Sequence, residues 1–512
     1  MIKSTRIAFS PKVGVIYRLN KGAVLNYEFI LTDNTLSFLS TIKSLFDTGT
    51  PLELYLPSEN LTGSIRTECD GIITARGIIA GKSVGVVLND FKIKGGGFGT
   101  ENSRRMVAFL KQMKNEETPV IFIIDSIGVR IMEGRKVFDG AFRVIPALKD
   151  FVKDNLLITV VKKRALGIGA LLYTFGDYRF AISEDSHLNL TGPEVFKMFF
   201  GAKANFDEIA SSKRQQKKNS IVHDICDSQE EVNRKIREIF LFSNVVDNGL
   251  LVESSRHGSN ADADPTLDAI GSTRIELFSQ LSPVVKIHMH KMLIYNFATF
   301  MNPKGKANMI TVEAIKKFRL ALNLLKKLKL PIFTIVDTPG GDPRVEENDK
   351  GILEEMTQMT VDIIDYPYLK KGFITGRCYG GASVSSIPPF FGGQKTTIVE
   401  GGACGIMGDN IISHLLSSSP RLHAEWEENR TNEKADFSDY MEQGILDKII
   451  KRDEIGTEII ATLINNRNVA ENDVNVDEYL MSFSGYSTSK LMSGYSKYVG
   501  VDEDLNRLVD NV

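Results

Sequence analysis

Apolar runs and amphipathic stretches alternate along most of this chain, and the alternation occurs twice. Residues 72–79 and 83–88 are β-rich runs split by Ala80-Gly81-Lys82, which predicts a hairpin. A glycine loop at 95–99 leads into helical spacing over 100–114, a strand at 120–125, a helix at 137–153, a strand at 156–161 and a helix starting near Gly169. The second half repeats the course with a strand at 292–297, a helix at 311–327, a strand at 332–337, a helix at 348–365, a strand at 372–375 and a helix from Gly381. Short β-rich runs between longer helices argue for α/β layering with parallel strands.

The two halves also match residue by residue. Pro119, Asp125, Gly128, Gly169 and Ala170 map onto Pro331, Asp337, Gly340, Gly381 and Ala382, each displaced by 212 residues with no gap, and Glu101, Arg104, Arg105 and Leu110 face Glu313, Lys316, Lys317 and Leu322 at the same offset. A period of that length means one whole domain used twice, not a solenoid of short repeats. The expected domains are 1–255 and 273–512, joined by a polar, turn-rich connector at 254–271. Residues 1–60 read as a lead-in with a helix around 34–46 that has no counterpart in the second half, and the Ser-, Tyr- and Lys-rich stretch 486–498 has no assignment.

Composition narrows the function classes. The 512 residues, 42% hydrophobic and 25% charged, suit a soluble globular protein. A net charge of -2 gives no case for a nucleic-acid binder, and the basic run 213–218 reads as a solvated loop. Cys69, Cys226, Cys378 and Cys404 lie far apart, which suggests neither a zinc ribbon nor a disulfide framework and fits a reduced, cytoplasmic setting. No apolar run approaches the length of a membrane span, and no signal-peptide pattern opens the chain. Gly81-Lys82-Ser83 lacks the upstream glycine of a phosphate-binding loop, because Arg76 stands there. His288 and His290 are weak evidence for a metal, so none is expected, and without a G-x-S-x-G elbow hydrolysis by a triad is not expected either.

The chemistry therefore falls to the backbone. Both halves place Gly-Ala after a strand and at a predicted helix start, in Ala165-Leu166-Gly167-Ile168-Gly169-Ala170 and in Arg377-Cys378-Tyr379-Gly380-Gly381-Ala382. A helix start offers unpaired N–H groups, and glycine admits a ligand to them, so the pairs could form oxyanion holes for an enolate. Close strand-to-helix packing is the other use of such a sequence. The turns that begin at Asp125 and Asp337 end strands, where ligands of open α/β folds collect. Arg130 and Glu133 could pair with each other or fix a ligand loop.

These residues resemble the carboxyltransferase subunits of biotin-dependent acyl-CoA carboxylases, over roughly residues 66–452. The resemblance rests on Asp70-Gly71-Ile72-Ile73-Thr74-Ala75-Arg76-Gly77, the 126–134 turn and Leu190-Thr191-Gly192-Pro193-Glu194-Val195 in the first half. In the second it rests on Asp337-Thr338-Pro339-Gly340, Tyr379-Gly380-Gly381-Ala382, Ile406-Met407-Gly408 and Gln443-Gly444-Ile445-Leu446-Asp447. It implies two tandem crotonase-like domains of ββα-spiral type, the first binding acyl-CoA and the second carboxybiotin. It further implies that Gly169 and Ala170 polarise the thioester carbonyl and that Gly381 and Ala382 hold the biotin ureido oxygen. Gly128, Arg130, Gly167, Gly340, Gly380 and Val384 would line the binding loops. No biotinylation motif of the Ala-Met-Lys-Met type is present, so biotin carboxylase and a biotin carboxyl carrier protein, or a combined alpha subunit, would be partners in a homo-oligomer, dimer or hexamer. A biotin-independent malonyl-thioester decarboxylase and a non-catalytic scaffold remain as alternatives. Ile168 departs from the family's Ala-Gly-Gly-Ala and is expected to strain a loop that needs positive φ.

Overall fold

The computed structural model describes residues 70–201, 203–243, 265–292, 295–302, 309–417, 419–432 and 437–466, with short pieces before residue 70. Nearly all of the expected lead-in helix, the connector residues 254–264 and the stretch 486–498 lie outside the described residues. The chain divides into two compact units, Met1–Ser254 and Ser255–Val512.

In the first unit, Ile72–Ile79 and Lys82–Asn89 form the expected antiparallel hairpin, with Ile79 opposite Lys82 across a two-residue turn. Ala80 and Gly81 both take positive φ there, the geometry that matches the twist of the strands. The sheet continues in parallel through Val120–Ser126, Leu157–Leu166, Tyr178–Ile182 and Asp224–Cys226, and His187–Asn189 adds alongside Leu157–Leu166. Val120–Ser126 is buried along its whole length, as a central parallel strand should be. Helix Thr100–Asn115 lays Met106, Phe109, Leu110 and Met113 into a core shared with Phe122, Ile124, Leu148, Phe151 and Ile168.

The second unit repeats this plan. Thr273–Leu277, Lys286–Met292 and Tyr295–Met301 are antiparallel, and Tyr295–Met301 opens a parallel series through Ile332–Thr338, Lys370–Tyr379, Thr396–Val399 and Leu446–Ile450. Helix Val312–Lys327 fills the place of Thr100–Asn115. A second core gathers Phe297, Phe333, Phe373, Ile455 and Ile459.

Six sequence expectations change. The strand expected at 292–297 falls across the ends of two antiparallel strands, Lys286–Met292 and Tyr295–Met301. The helix at 137–153 breaks into Val137–Ala141 and Val144–Val152, because Pro146 is tolerated only in a first turn. The helix at 348–365 becomes Val345–Asp349 and Ile352–Ile364, parted by Gly351 at φ 83°. The helix expected from Gly381 is a single 3-10 segment, Gly380–Val384, stopped by Ile387 at φ 47° and by Pro388-Pro389. The basic run read as a loop is a helix, Ser212–Asn219. Part of the expected connector is helical too: Pro265–Ile270 sends Ile270 into the second core.

Candidate active site

Each unit builds one loop device from the same parts. In the first, Phe98 N–H donates to Gly128 O at 2.9 Å and Arg130 N–H to Phe98 O at 3.0 Å, zipping the glycine loop to the turn after Val120–Ser126. In the second, Ile310 N–H donates to Gly340 O at 2.9 Å and Asp342 N–H to Ile310 O at 2.9 Å. Gly128 and Gly340 lie at φ 110° and 126°, and their N–H groups donate to Ser126 Oγ and Thr338 Oγ1. A carboxylate then caps each central helix: Thr100 N–H donates to Glu133 Oε2 and Val312 N–H to Glu347 Oε2, both at 2.7 Å. Neither cap was recognised in the sequence, because each acid comes from a segment more than thirty residues away.

Across this turn the neighbouring strand ends in a glycine of positive φ, Gly167 at 58° and Gly380 at 53°. Here the offset of 212 fails. Leu166 and Tyr379 occupy equivalent positions, since their carbonyls approach Gly128 and Gly340 and they pair with Asn189 and Gly405. The offset is 212 through strand 120–126 and 213 from strand 157–166 onward, because one residue is inserted between them. Gly167 therefore matches Gly380, Ile168 matches Gly381, and Gly169 matches Ala382.

The slip decides which N–H groups are free. Gly167 N–H donates to Asn189 O at 3.0 Å and Ala170 N–H to Gly167 O at 3.1 Å, so Ala170 is committed. Among the described residues Ile168 and Gly169 N–H find no hydrogen-bond acceptor, and neither do Gly381 and Ala382 N–H. The adjacent N–H groups left open in the first unit are thus those of Ile168 and Gly169, one residue before the expected Gly169 and Ala170. Ile168 does not strain the loop, because the positive φ falls on Gly167; its side chain is 5% exposed and belongs to the core while its N–H stays available.

Charged groups brace these loops. Arg130, its side chain 5% exposed, donates from Nη1 to Asp70 Oδ1 at 2.7 Å and from Nη2 to Asp70 O at 2.7 Å, and lies 3.4 Å from Glu133 Oε1. It is therefore a brace beneath the loop and is not presented to a ligand. Burial alone would push the Glu133 carboxyl up, but the bonds from Thr100 and Arg130 outweigh it and hold it below its usual range. Asp125 pairs with Arg164 at 3.1 Å and Asp337 with Arg377 at 3.2 Å, again offset by 212 and 213. Burial pushes the Asp125 carboxyl up, against the opposing pull of Arg164, Lys162 and Lys163. Val384 closes the 3-10 segment, half-buried. Leu190 and Ile406, which open two of the motifs quoted above, stand over the two glycines with their carbonyls.

His288 and His290 are buried on one strand, and burial pushes both imidazoles down, His288 to about 3. Among the described residues no group of three or more His, Cys, Asp or Glu is placed to hold a metal ion. No described helix is long and apolar enough to cross a membrane.

Two mixed α/β units with parallel sheets and a paired glycine-turn device define a carboxyltransferase-type, crotonase-like fold. Among solved structures, the transcarboxylase 12S hexamer with methylmalonyl-coenzyme A bound is similar at TM-score 0.73 and 18% identity, over 85% of this chain and 91% of that one. A single-chain, multi-domain long-chain acyl-CoA carboxylase is similar at TM-score 0.63 and 18% identity, over 82% of this chain and 46% of that one. Residues 36–269 match the carboxyl transferase domain model. Over these spans the chain is similar to carboxyltransferase beta subunits of acyl-CoA carboxylases. The methylmalonyl-CoA carboxyltransferase 12S subunit of Propionibacterium freudenreichii is 20% identical over 68% of this chain and 70% of its own length. The carboxyltransferase subunit of Haloferax mediterranei propionyl-CoA carboxylase is 22% identical, over 61% and 65%. The alpha subunit of Veillonella parvula methylmalonyl-CoA decarboxylase is 20% identical, over 77% and 82%.

Proposed function

We propose that this chain is the carboxyltransferase component of a biotin-dependent acyl-CoA carboxylase, with domain 1–255 taking the acyl-CoA and domain 273–512 the carboxybiotin. The observation that carries this reading is the repeated device: a strand end, a glycine of positive φ and two adjacent N–H groups with no partner among the described residues, Ile168 with Gly169 and Gly381 with Ala382. In the first unit the pair would receive the thioester oxygen as charge moves onto it from the α-carbon. Each such donor is worth roughly 3 to 4 kcal/mol in the transition state. In the second unit the pair would hold the ureido oxygen of the biotin group. Carboxybiotin, brought by a carrier protein, supplies the carboxyl group. Gly167 and Gly380 aim the donors, and Gly128 and Gly340 keep the facing turn close.

Biotin carboxylase and a biotin carboxyl carrier protein, or an alpha subunit that combines them, are the partners this reading needs. Homo-oligomerisation is supported by helix Pro193–Phe200, where Met198, Phe199 and Phe200 are 84%, 79% and 70% exposed. The test is the reverse reaction: purified protein with malonyl-CoA or methylmalonyl-CoA, with and without a biotin ester, following loss of the acid by chromatography. Loss that depends on the biotin ester is expected. Loss that ignores it, or inertness toward both thioesters in a protein that still binds them, overturns the reading.

A further inference from the structure

The sequence reading left the positive charges of residues 213–218 without a task, and their placement gives them one. Helix Ser212–Asn219 carries Lys213, Arg214, Lys217 and Lys218 at i, i+1, i+4 and i+5, which puts four cations on one face. The opposite face is pinned. Ser212 Oγ meets Ser186 Oγ at 2.6 Å, Gln215 Nε2 donates to Ile209 O at 2.8 Å and to Leu188 O at 3.2 Å, and Gln216 Nε2 donates to His223 O at 3.3 Å. The cationic face is thereby fixed outward, over an open cleft of about 550 Å³ that it shares with Asp207 and Glu208.

This face is undercompensated. Lys213 pairs with Glu184 at 2.7 Å, and Asp207 is engaged by His187. Arg214, Lys217 and Lys218 are exposed and have no carboxylate partner among the described residues. Like charges four apart, here 213 with 217 and 214 with 218, each cost a helix a few tenths of a kcal/mol. A polyanion would convert that repulsion into attraction.

The cleft also adjoins the reaction site. His187–Asn189 pairs at one end with Ser211, the residue that opens the basic helix, and at its other end accepts the N–H of Gly167 through Asn189 O. One three-residue strand thus connects the helix to the donor loop, and strands lie only about 4.8 Å apart. We infer that the cleft lined by Arg214, Lys217 and Lys218 binds the phosphorylated nucleotide end of coenzyme A, its 3′-phosphate above all, while the pantetheine arm runs toward Ile168 and Gly169. A phosphomonoester carries about −1.5 to −2 charge at neutral pH and three strong acceptor oxygens, which suits a lysine and arginine face with no fixed carboxylate partner.

The ligand's identity rests on the carboxyl-transfer reading, and calorimetry of binding without turnover keeps the two separable. Coenzyme A and dephospho-coenzyme A are titrated into the full chain and into the triple variant Arg214→Ala/Lys217→Ala/Lys218→Ala, at low and high salt, with thermal melting to confirm that the variant is folded. The wild-type chain is expected to prefer coenzyme A by about tenfold, a preference that shrinks with salt and falls to within about twofold in the variant. Equal binding of the two ligands by the wild-type chain, which needs no variant, overturns the inference. So does a preference that survives the triple substitution, and so does an acyl carrier protein whose binding needs the three cations while coenzyme A ignores them. A chain that shows the preference yet is inert with malonyl-CoA and biotin ester keeps the cleft and loses the transferase reading.

Discussion

Replacing Gly167 with alanine tests the donor device most directly. Gly167 sits at φ 58°, ψ −125°, a region closed to L-residues. Space is not the obstacle, because a Cβ there would meet only Gly128 Cα at 3.6 Å and Leu190 O at 3.9 Å. The cost is torsional, about 1 to 3 kcal/mol. Gly167 N–H is held by Asn189 O at 3.0 Å, so the strain is relieved through ψ, the torsion that aims Ile168 N–H. Turning that donor away costs on the order of 10² to 10³ in kcat. The biotin-ester-dependent loss of malonyl-CoA is therefore expected to fall at least about a hundredfold in kcat in Gly167→Ala, with KM little changed. Gly81→Ala is the control: φ is 76° in the hairpin turn, with nothing within 4 Å of the added Cβ. It should lose about 1 kcal/mol of stability and no activity. Wild-type kcat in Gly167→Ala, or an equal fall in Gly81→Ala, refutes the assignment of Ile168 and Gly169.

Three further outcomes follow from the same geometry. Glu133 has its folded pKa depressed, so its stabilisation is full above the unfolded value near 4.5 and is lost as pH falls through the folded value; urea melts should show Glu133→Gln less stable than wild type at pH 7, with the gap closing below about pH 4, and a gap independent of pH sinks the capping role. Lys371, its side chain 4% exposed, bonds Glu458 Oε1 at 2.7 Å, and Lys448 holds Glu458 Oε2 at 2.6 Å; Lys371→Met should destabilise the chain by about 1 to 3 kcal/mol and be non-additive with Glu458→Gln, whereas additive losses in denaturant melts would contradict this network. Phe199→Ser/Phe200→Ser should lower the sedimentation mass toward the monomer and leave the circular dichroism unchanged; an undiminished mass would remove this helix from the subunit contact.

The parts of the fold that were legible are those dictated by local pattern. The hairpin at 72–89 follows from two β-rich runs around a glycine turn, and Val120–Ser126 from an unbroken apolar run. What escaped the pattern was set by single residues acting against it. Pro146 and Gly351 each cut a periodic stretch that reads as continuous, and Pro388-Pro389 shortened another to one turn. The open N–H groups fall one residue before the Gly-Ala of the first half, although Gly169-Ala170 and Gly381-Ala382 look alike, because the positive φ lies on Gly167 and Gly380. Aligning Leu-Gly-Ile-Gly with Tyr-Gly-Gly-Ala on the first glycine would have found them. The Glu133 and Glu347 caps and the Asp70 partner of Arg130 are long-range contacts with no local signature.

The comparison between the two halves explains how such a site tolerates divergence. The proposed donors are Ile168 and Gly169 in one copy and Gly381 and Ala382 in the other, so neither position shares a side chain across the repeat. That is physically reasonable, because the chemistry needs only backbone N–H groups and a turn that aims them. The constraint falls instead on the glycine that precedes each pair and on the facing glycine, Gly128 or Gly340, all four at positive φ. Around them the braces differ in kind: Arg130 reaches Asp70 across 60 residues, whereas Asp342 is clasped by Arg344 two residues on. A replacement at the donor positions that keeps the turn, such as Ile168→Val, should accordingly leave kcat near wild type, and a replacement at the glycines should not.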